Sequence, residues 1–270
     1  MCSSDLAGLS STQVGSLSTT QLDNLSTANL NAIDAGDFSA AQLSNLADAT
    51  LDNLTTTQVA GLSSTQVGSL STTQLDNLWT ANLRAIDAGD FSTGQLSNLA
   101  VATLDNLTTT QVTGLNTAQS QSLSTTQLNA LSVTNLNALD VAEISTTQIG
   151  GLDTTTITEL STTQVAALSA AQVGALSVAG VNSLTTTELG ALTAAQAGAL
   201  TSAQVAGLST TNFSALSSTT GIPALSTTAI GGISTADIAA LTTTQGWAFT
   251  ATQVNAMSGA QLSALVELLT

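Results

Sequence analysis

Large apolar residues recur along this chain at alternating intervals of five and three. The stretch Leu160–Ala175, LSTTQVAA LSAAQVGA, shows the phrase plainly. Position 1 is large and apolar, position 2 is Ser or Thr, and position 5 is usually Gln. Position 6 is usually Val, Leu or Ile, and positions 7 and 8 are small. Thirty such units run from Leu9 to Ala264, all octads but one of nine residues at 216–224. Ser, Thr, Asn or Asp holds position 2 in twenty-seven of them, the exceptions being Ala47, Trp79 and Ala100, and Gln or Glu follows three residues later in nineteen. That spacing is a capping box. The position-2 oxygen accepts from the N3 backbone N–H, and the N3 side chain reaches back to the cap N–H. Positions 1 and 6 then form the hydrophobic staple across the helix start.

Each octad therefore carries a complete helix-start signal, and the next start limits every helix to about two turns. Helices that short do not persist alone in water, so they must stack. The pattern predicts an all-α solenoid of very short, capped helices with an eight-residue repeat and an inner apolar seam. The alternative is a β-solenoid, since Thr and Val suit strands. Positions 1 and 6 have opposite parity, however, so a straight strand would send them to opposite faces. Small residues at position 8 are expected to let neighbouring backbones approach.

A longer period overlies the octads. Leu9–Gly61 and Leu62–Gly114 are nearly identical 53-residue blocks, and Leu115–Ala167 is a diverged third, so residues 9–167 form three super-repeats. Each holds six octads and one five-residue unit: IDAGD at Ile33, IDAGD at Ile86 and LDVAE at Leu139. These units read as changes of register, corners or kinks. Residues 168–264 are continuous octads, irregular at 216–224, where Gly221 and the sole proline, Pro223, predict a local bend. Trp247 and Phe249 are expected to thicken the core, and the terminal segment 265–270 could extend as a helix.

Within residues 1–8, Met1–Leu6 fits the repeat poorly, while Ala7 and Gly8 read as positions 7 and 8 of a unit whose beginning is lost. The sequence TGC-TCT-TCC-GAT-CT, the end of a common sequencing adapter, translates as Cys-Ser-Ser-Asp-Leu. Met1–Leu6 is therefore expected to be a read artefact joined to a truncated unit of a longer, metagenomic chain, with Cys2 not native.

Composition narrows the function. Seventeen acids stand against one base, Arg84, for a net charge of −16, and His and Tyr are absent. Phosphate recognition needs basic side chains, so nucleic acid is excluded as a partner, as is attraction to anionic lipid. No run of about 18 apolar residues marks a membrane span. Without His, Lys or Tyr, no nucleophile–base pair can be assembled in the usual way, so the chain reads as no enzyme and no organic cofactor is expected. Arg84 stands where the sister block has Asn31, and Trp79 where it has Ser26; both read as drift at exposed sites.

The acidic pairs Asp34/Asp37, Asp87/Asp90 and Asp140/Glu143 recur every 53 residues. They are the candidate metal residues, for Ca²⁺. The other reading makes the first acid a helix cap and the second an N3 acid favoured by the helix dipole. Two carboxylates are few for a Ca²⁺ cage. Thr is dense at positions 2 to 4, as in Thr55–Thr57, Thr108–Thr110 and Thr185–Thr187, so ice or a glycan is a possible ligand, ice being tied to a flat β face.

The octads LSTTQVAA and LTTTQVAG resemble tandem octapeptide tracts of large bacterial secreted or surface proteins, adhesin-like or labelled for heme utilisation. The resemblance covers Leu9–Ala264. It implies a secreted, acidic, extracellular or cell-surface protein of bacteria. The phrase LTTTQVAGL at Leu54–Leu62 also resembles the first helix of repeats in transcription-activator-like effectors of plant pathogens. The base-reading loop, basic residues and longer repeat are missing, so DNA binding does not carry over. The expected function is a structural or adhesive spacer or stalk, whose partners are its own stacked repeats and neighbouring domains of a parent protein. A Thr-rich module for ice or glycans is the alternative.

Overall fold

The computed structural model describes residues 8–270; the expectations for Met1–Leu6 and Cys2 lie outside the described residues. Among these residues the chain forms 29 α-helices and four 3₁₀ turns, with no strand. The helices are four to six residues long, except the last, Gly259–Leu269, which has eleven. The fold is the all-α solenoid of short helices, and the β-solenoid alternative is overturned. The reason is local. Backbone and side chain at position 2 are both committed to a helix start. Ser161, for example, is extended and its hydroxyl accepts from the Gln164 N–H, while Gln164 Oε1 accepts from the Ser161 N–H. All nineteen predicted boxes form, and Asp237 supplies one more.

The chain divides into two compact lobes, one up to Leu139 and one spanning Asp140–Thr270. The division falls inside the third five-residue unit. Within each lobe the stacking follows one rule: helices pack against those three units further on, and the longer terminal helix Gly259–Leu269 reaches Thr243–Gly246, two units before it, as well. In the C-terminal lobe Ala170–Ala175 packs on Ala194–Gly198, and Val178–Ser183 on Ser202–Gly207. In the N-terminal lobe Ala40–Leu43 packs on Ser64–Ser69, and Thr93–Asn98 on Thr117–Ser122. Three units thus complete one turn of coil. Positions 1 and 6 line its inside, as with Leu160, Val165 and Leu168, all buried. Each such side chain contributes roughly 1.5–3 kcal/mol by leaving water, which is what one-turn helices lack in isolation.

The five-residue units keep this order. Ala35–Asp37, Ala88–Asp90 and Val141–Glu143 are 3₁₀ turns. Ala35–Asp37 packs on the helices Ser11–Gly15 and Thr56–Ala60, three units to either side. Each short unit takes the place of a helix and removes three residues from that turn of coil, with no break in the sequence of stacking. At 216–224 the backbone turns at Gly221 and closes into the 3₁₀ turn Ile222–Ala224, with Pro223 early in it. The backbones of neighbouring turns approach each other most closely at two glycines. A Cβ on Gly150 would lie 2.8 Å from the Ala175 carbonyl oxygen, and one on Gly232 would overlap the Ser202 carbonyl. Gly150 stands at position 7, so the tight contact uses that position as well as position 8.

Candidate functional site

The chemistry that recurs along the fold lies in the position-5 glutamine, which works at both ends of its amide. Gln204 is buried, and its Oε1 accepts from the Thr201 N–H at the start of its own helix. Its Nε2 donates to the carbonyls of Val173 at 3.0 Å and Leu176 at 2.8 Å, 31 and 28 residues earlier. Those carbonyls close the helix Ala170–Ala175, where the last C=O groups lack partners within the helix. One side chain thus caps the N-terminus of its own helix and satisfies the C-terminal carbonyls of the turn beneath. Gln172, Gln253 and Gln261 do the same in the C-terminal lobe. Gln74, Gln119 and Gln127 do so in the N-terminal lobe. Where the turn between contains a five-residue unit, the reach shortens by three: Gln95 donates to Val67 and Leu70, 28 and 25 residues back.

A second device appears where position 5 is too short to return to its own cap. Ala47, Trp79 and Ala100 make no side-chain cap. Their N–H groups donate instead to Asp23, Asp52 and Asp76, which stand at position 7 of the preceding turn. Asp23 and Asp76 also accept from Thr50 and Thr103 hydroxyls at 2.6 Å. Asp105 serves Ser132, and in the C-terminal lobe Asn182 serves Ser209. Four acids are therefore structural clamps between turns. The sequence carried a signal for them: an acid or Asn sits 24 or 27 residues before position 2 of each of these octads, whose position 5 is Thr or Asn.

The acidic pairs lie at the 3₁₀ turns. Asp34, Asp87 and Asp140 each cap their turn, accepting from Gly36, Gly89 and Ala142 N–H at 2.8–2.9 Å. Asp37, Asp90 and Glu143 follow as the acid of the first turn and are partly buried. Burial, then repulsion from Asp87, pushes the Asp90 carboxyl above its ordinary value. Among the described residues no group of three or more His, Cys, Asp or Glu side chains stands together to hold a metal ion. Asp153 lies on the other side of its ordinary value, held down by the hydrogen bonds it receives from the Thr156 N–H and hydroxyl and the Thr155 N–H.

Beside the first two 3₁₀ turns the shortened backbone leaves an open polar recess. Asn31, Asp34, Thr55, Thr57 and Gln58 line the first; Arg84, Asp87, Thr108, Thr110 and Gln111 line the second, 53 residues on. The substitution of Arg84 for Asn31 thus changes a recess wall, and its Nε donates to the Asn106 carbonyl at 2.7 Å. Trp79 is exposed, as read from the sequence. Phe249 is buried, but Trp247 is 73% exposed, which overturns its expected place in the core. It stands at position 7, on the outside of the coil.

Residues 141–178 match the family model of the ALTTAQ repeat. The six letters of that name spell position 8 followed by positions 1 to 5, and within the match Ala167–Gln172 reads ALSAAQ. The chain is a repeat-containing protein. No curated protein matches it. No helix among the described residues is long and apolar enough to cross a membrane.

Proposed function

We propose that the chain is a structural spacer or stalk segment of a large secreted, adhesin-like bacterial surface protein, extracellular in location. The observation that carries this reading is the glutamine bridge. Buried polar groups that could face a ligand instead tie one turn of coil to the next, as Gln204 does to Val173 and Leu176. Such a chain acts through its length and through what it presents, with no single reaction centre. The test places the chain between a surface anchor and a reporter epitope, then removes whole turns, beginning with the 24 residues Leu168–Ala191. Reach of the epitope should fall in equal steps. Loss of presentation at the first deletion, with folding intact, would refute a spacer.

The second reading is glycan binding, favoured by the two polar recesses with their paired Asp and Thr side chains. A glycan array probed with the chain, and with Asp34→Asn and Asp87→Asn together, separates the readings. Capture lost in the double variant supports the recess; no capture leaves the spacer. Ice has less support, because the described residues offer no flat β face.

A further inference from the structure

The polar recess occurs twice, with one wall exchanged. All nine residues around the first have counterparts 53 residues on around the second, and eight are identical; only Asn31 differs, replaced by Arg84. The second recess has a volume of about 490 Å³, within the range of small-molecule sites.

Its polar groups divide into those already engaged and those left over. The Thr108 hydroxyl and the Gln111 amide oxygen close a capping box, and Gln111 Nε2 donates to the Leu83 and Ile86 carbonyls. Three groups remain. Arg84 is exposed, and its Nε donates to the Asn106 carbonyl at 2.7 Å, two residues before Thr108. That bond holds the guanidinium beside the opposite wall, and among the described residues its Nη groups make no hydrogen bond or ion pair. Asp87 commits one carboxylate oxygen to the Gly89 N–H and keeps the other. Thr110 is exposed, with its hydroxyl uncommitted.

Arg84 is the only basic side chain in a chain of net charge −16. The two Nη groups are parallel donors in a plane, the shape a carboxylate accepts bidentately. Beside them stand an acceptor, Asp87, and a hydroxyl, Thr110, which suits a carboxylate flanked by hydroxyls. A phosphate dianion fits worse, because Asp87 and Asp90 share the adjoining 3₁₀ turn and repel the second charge.

We propose that the second recess binds an acidic saccharide, a uronate. Its carboxylate lies on the Arg84 Nη groups and its ring hydroxyls on Asp87 and Thr110. Asn31 leaves the first recess without this selectivity. The inference deepens the glycan reading and rests on it.

The test is isothermal titration of the full chain with a galacturonic acid disaccharide and with its methyl ester, which keeps the hydroxyls and loses the charge. Wild type should take one disaccharide per chain and bind the acid about tenfold or more tighter than the ester. Arg84→Asn should lose that preference, and Asn31→Arg should raise the count to two. Each variant copies the residue of the sister block, and circular dichroism checks that it folds. Acid and ester bound equally well, with Arg84→Asn changing neither, would overturn the inference and leave the glycan reading standing. So would a count that stays at one in Asn31→Arg. Binding of neither sugar, together with an array of neutral and acidic glycans that captures nothing, would remove the glycan reading and this inference with it.

Discussion

The two lobes obey one stacking rule but hold their turns together with different chemistry. Up to Leu139, the glutamine bridges are interleaved with carboxylate clamps: Asp23, Asp52, Asp76 and Asp105 each accept a backbone N–H from the next turn of coil. In Asp140–Thr270 the corresponding clamp is the neutral Asn182, and turns meet backbone to backbone at Gly150 and Gly232. The difference teaches that the repeat fixes the geometry of the seam and leaves its chemistry open. A short position 5 is tolerated when the previous turn lends an oxygen, and a closer approach is tolerated when Cβ is absent.

The largest expected effect comes from the bridge common to both. Gln204→Glu keeps the acceptor of the capping box but sets a buried carboxylate against the Val173 and Leu176 carbonyls. It should lower stability by about 3 kcal/mol or more in urea unfolding. Gln21→Glu, whose amide meets no carbonyl among the described residues, should lie close to wild type; equal losses at both sites would mean the amide acts only as a cap. Next is the glycine seam. Gly232→Ala should cost about 1–3 kcal/mol by forcing the Ser202 backbone away. Gly94→Ala, in the open within a helix of the N-terminal lobe, should instead gain about 0.5–1 kcal/mol.

The carboxylate clamp is tested by Asp76→Ala, which strands the Ala100 N–H and the Thr103 hydroxyl; a loss of about 1–3 kcal/mol is expected. Protection from hydrogen exchange should fall around Ala100 and remain in Asp140–Thr270. The smallest effects are in pH. The Asp153 carboxyl is lowered in the fold, so its contribution is present above the ordinary carboxylate range and is lost as pH falls through the folded value. Asp90 has the opposite sign: its carboxyl is raised, so the folded state gains as pH falls through that value. Asp153→Asn should flatten the acid limb of a stability–pH curve, and Asp90→Asn should stabilise slightly at neutral pH. A curve unchanged by either would place both groups in bulk solvent.

Helix starts, staples and the need to stack were legible because they lie within eight residues: Ser161, Gln164 and Val165 contain their own instruction. Three units per turn was not, because it depends on the Nε2 of Gln204 meeting carbonyls 28 and 31 residues away. A capping box explains Gln fully, so nothing local asks for its second role. The same holds for Asp76, whose partners Ala100 and Thr103 lie 24 and 27 residues on. The pairs at Asp34 and Asp87 were legible as caps, while the recesses beside them arise from a missing three residues whose effect appears only after the coil closes. Trp247 was misplaced because an aromatic residue suggests core, whereas in its unit position 7 lies on the outside of the coil.

The bridge also bears on how such a gene changes. A replication slip that adds or deletes whole octads leaves each remaining glutamine codon specifying an amide at the same offset from the carbonyls it needs. Length can then drift within a population without a folding defect for selection to remove, and the near-identity of Leu9–Gly61 and Leu62–Gly114 is the trace left by duplication of a larger block, six octads with their five-residue unit.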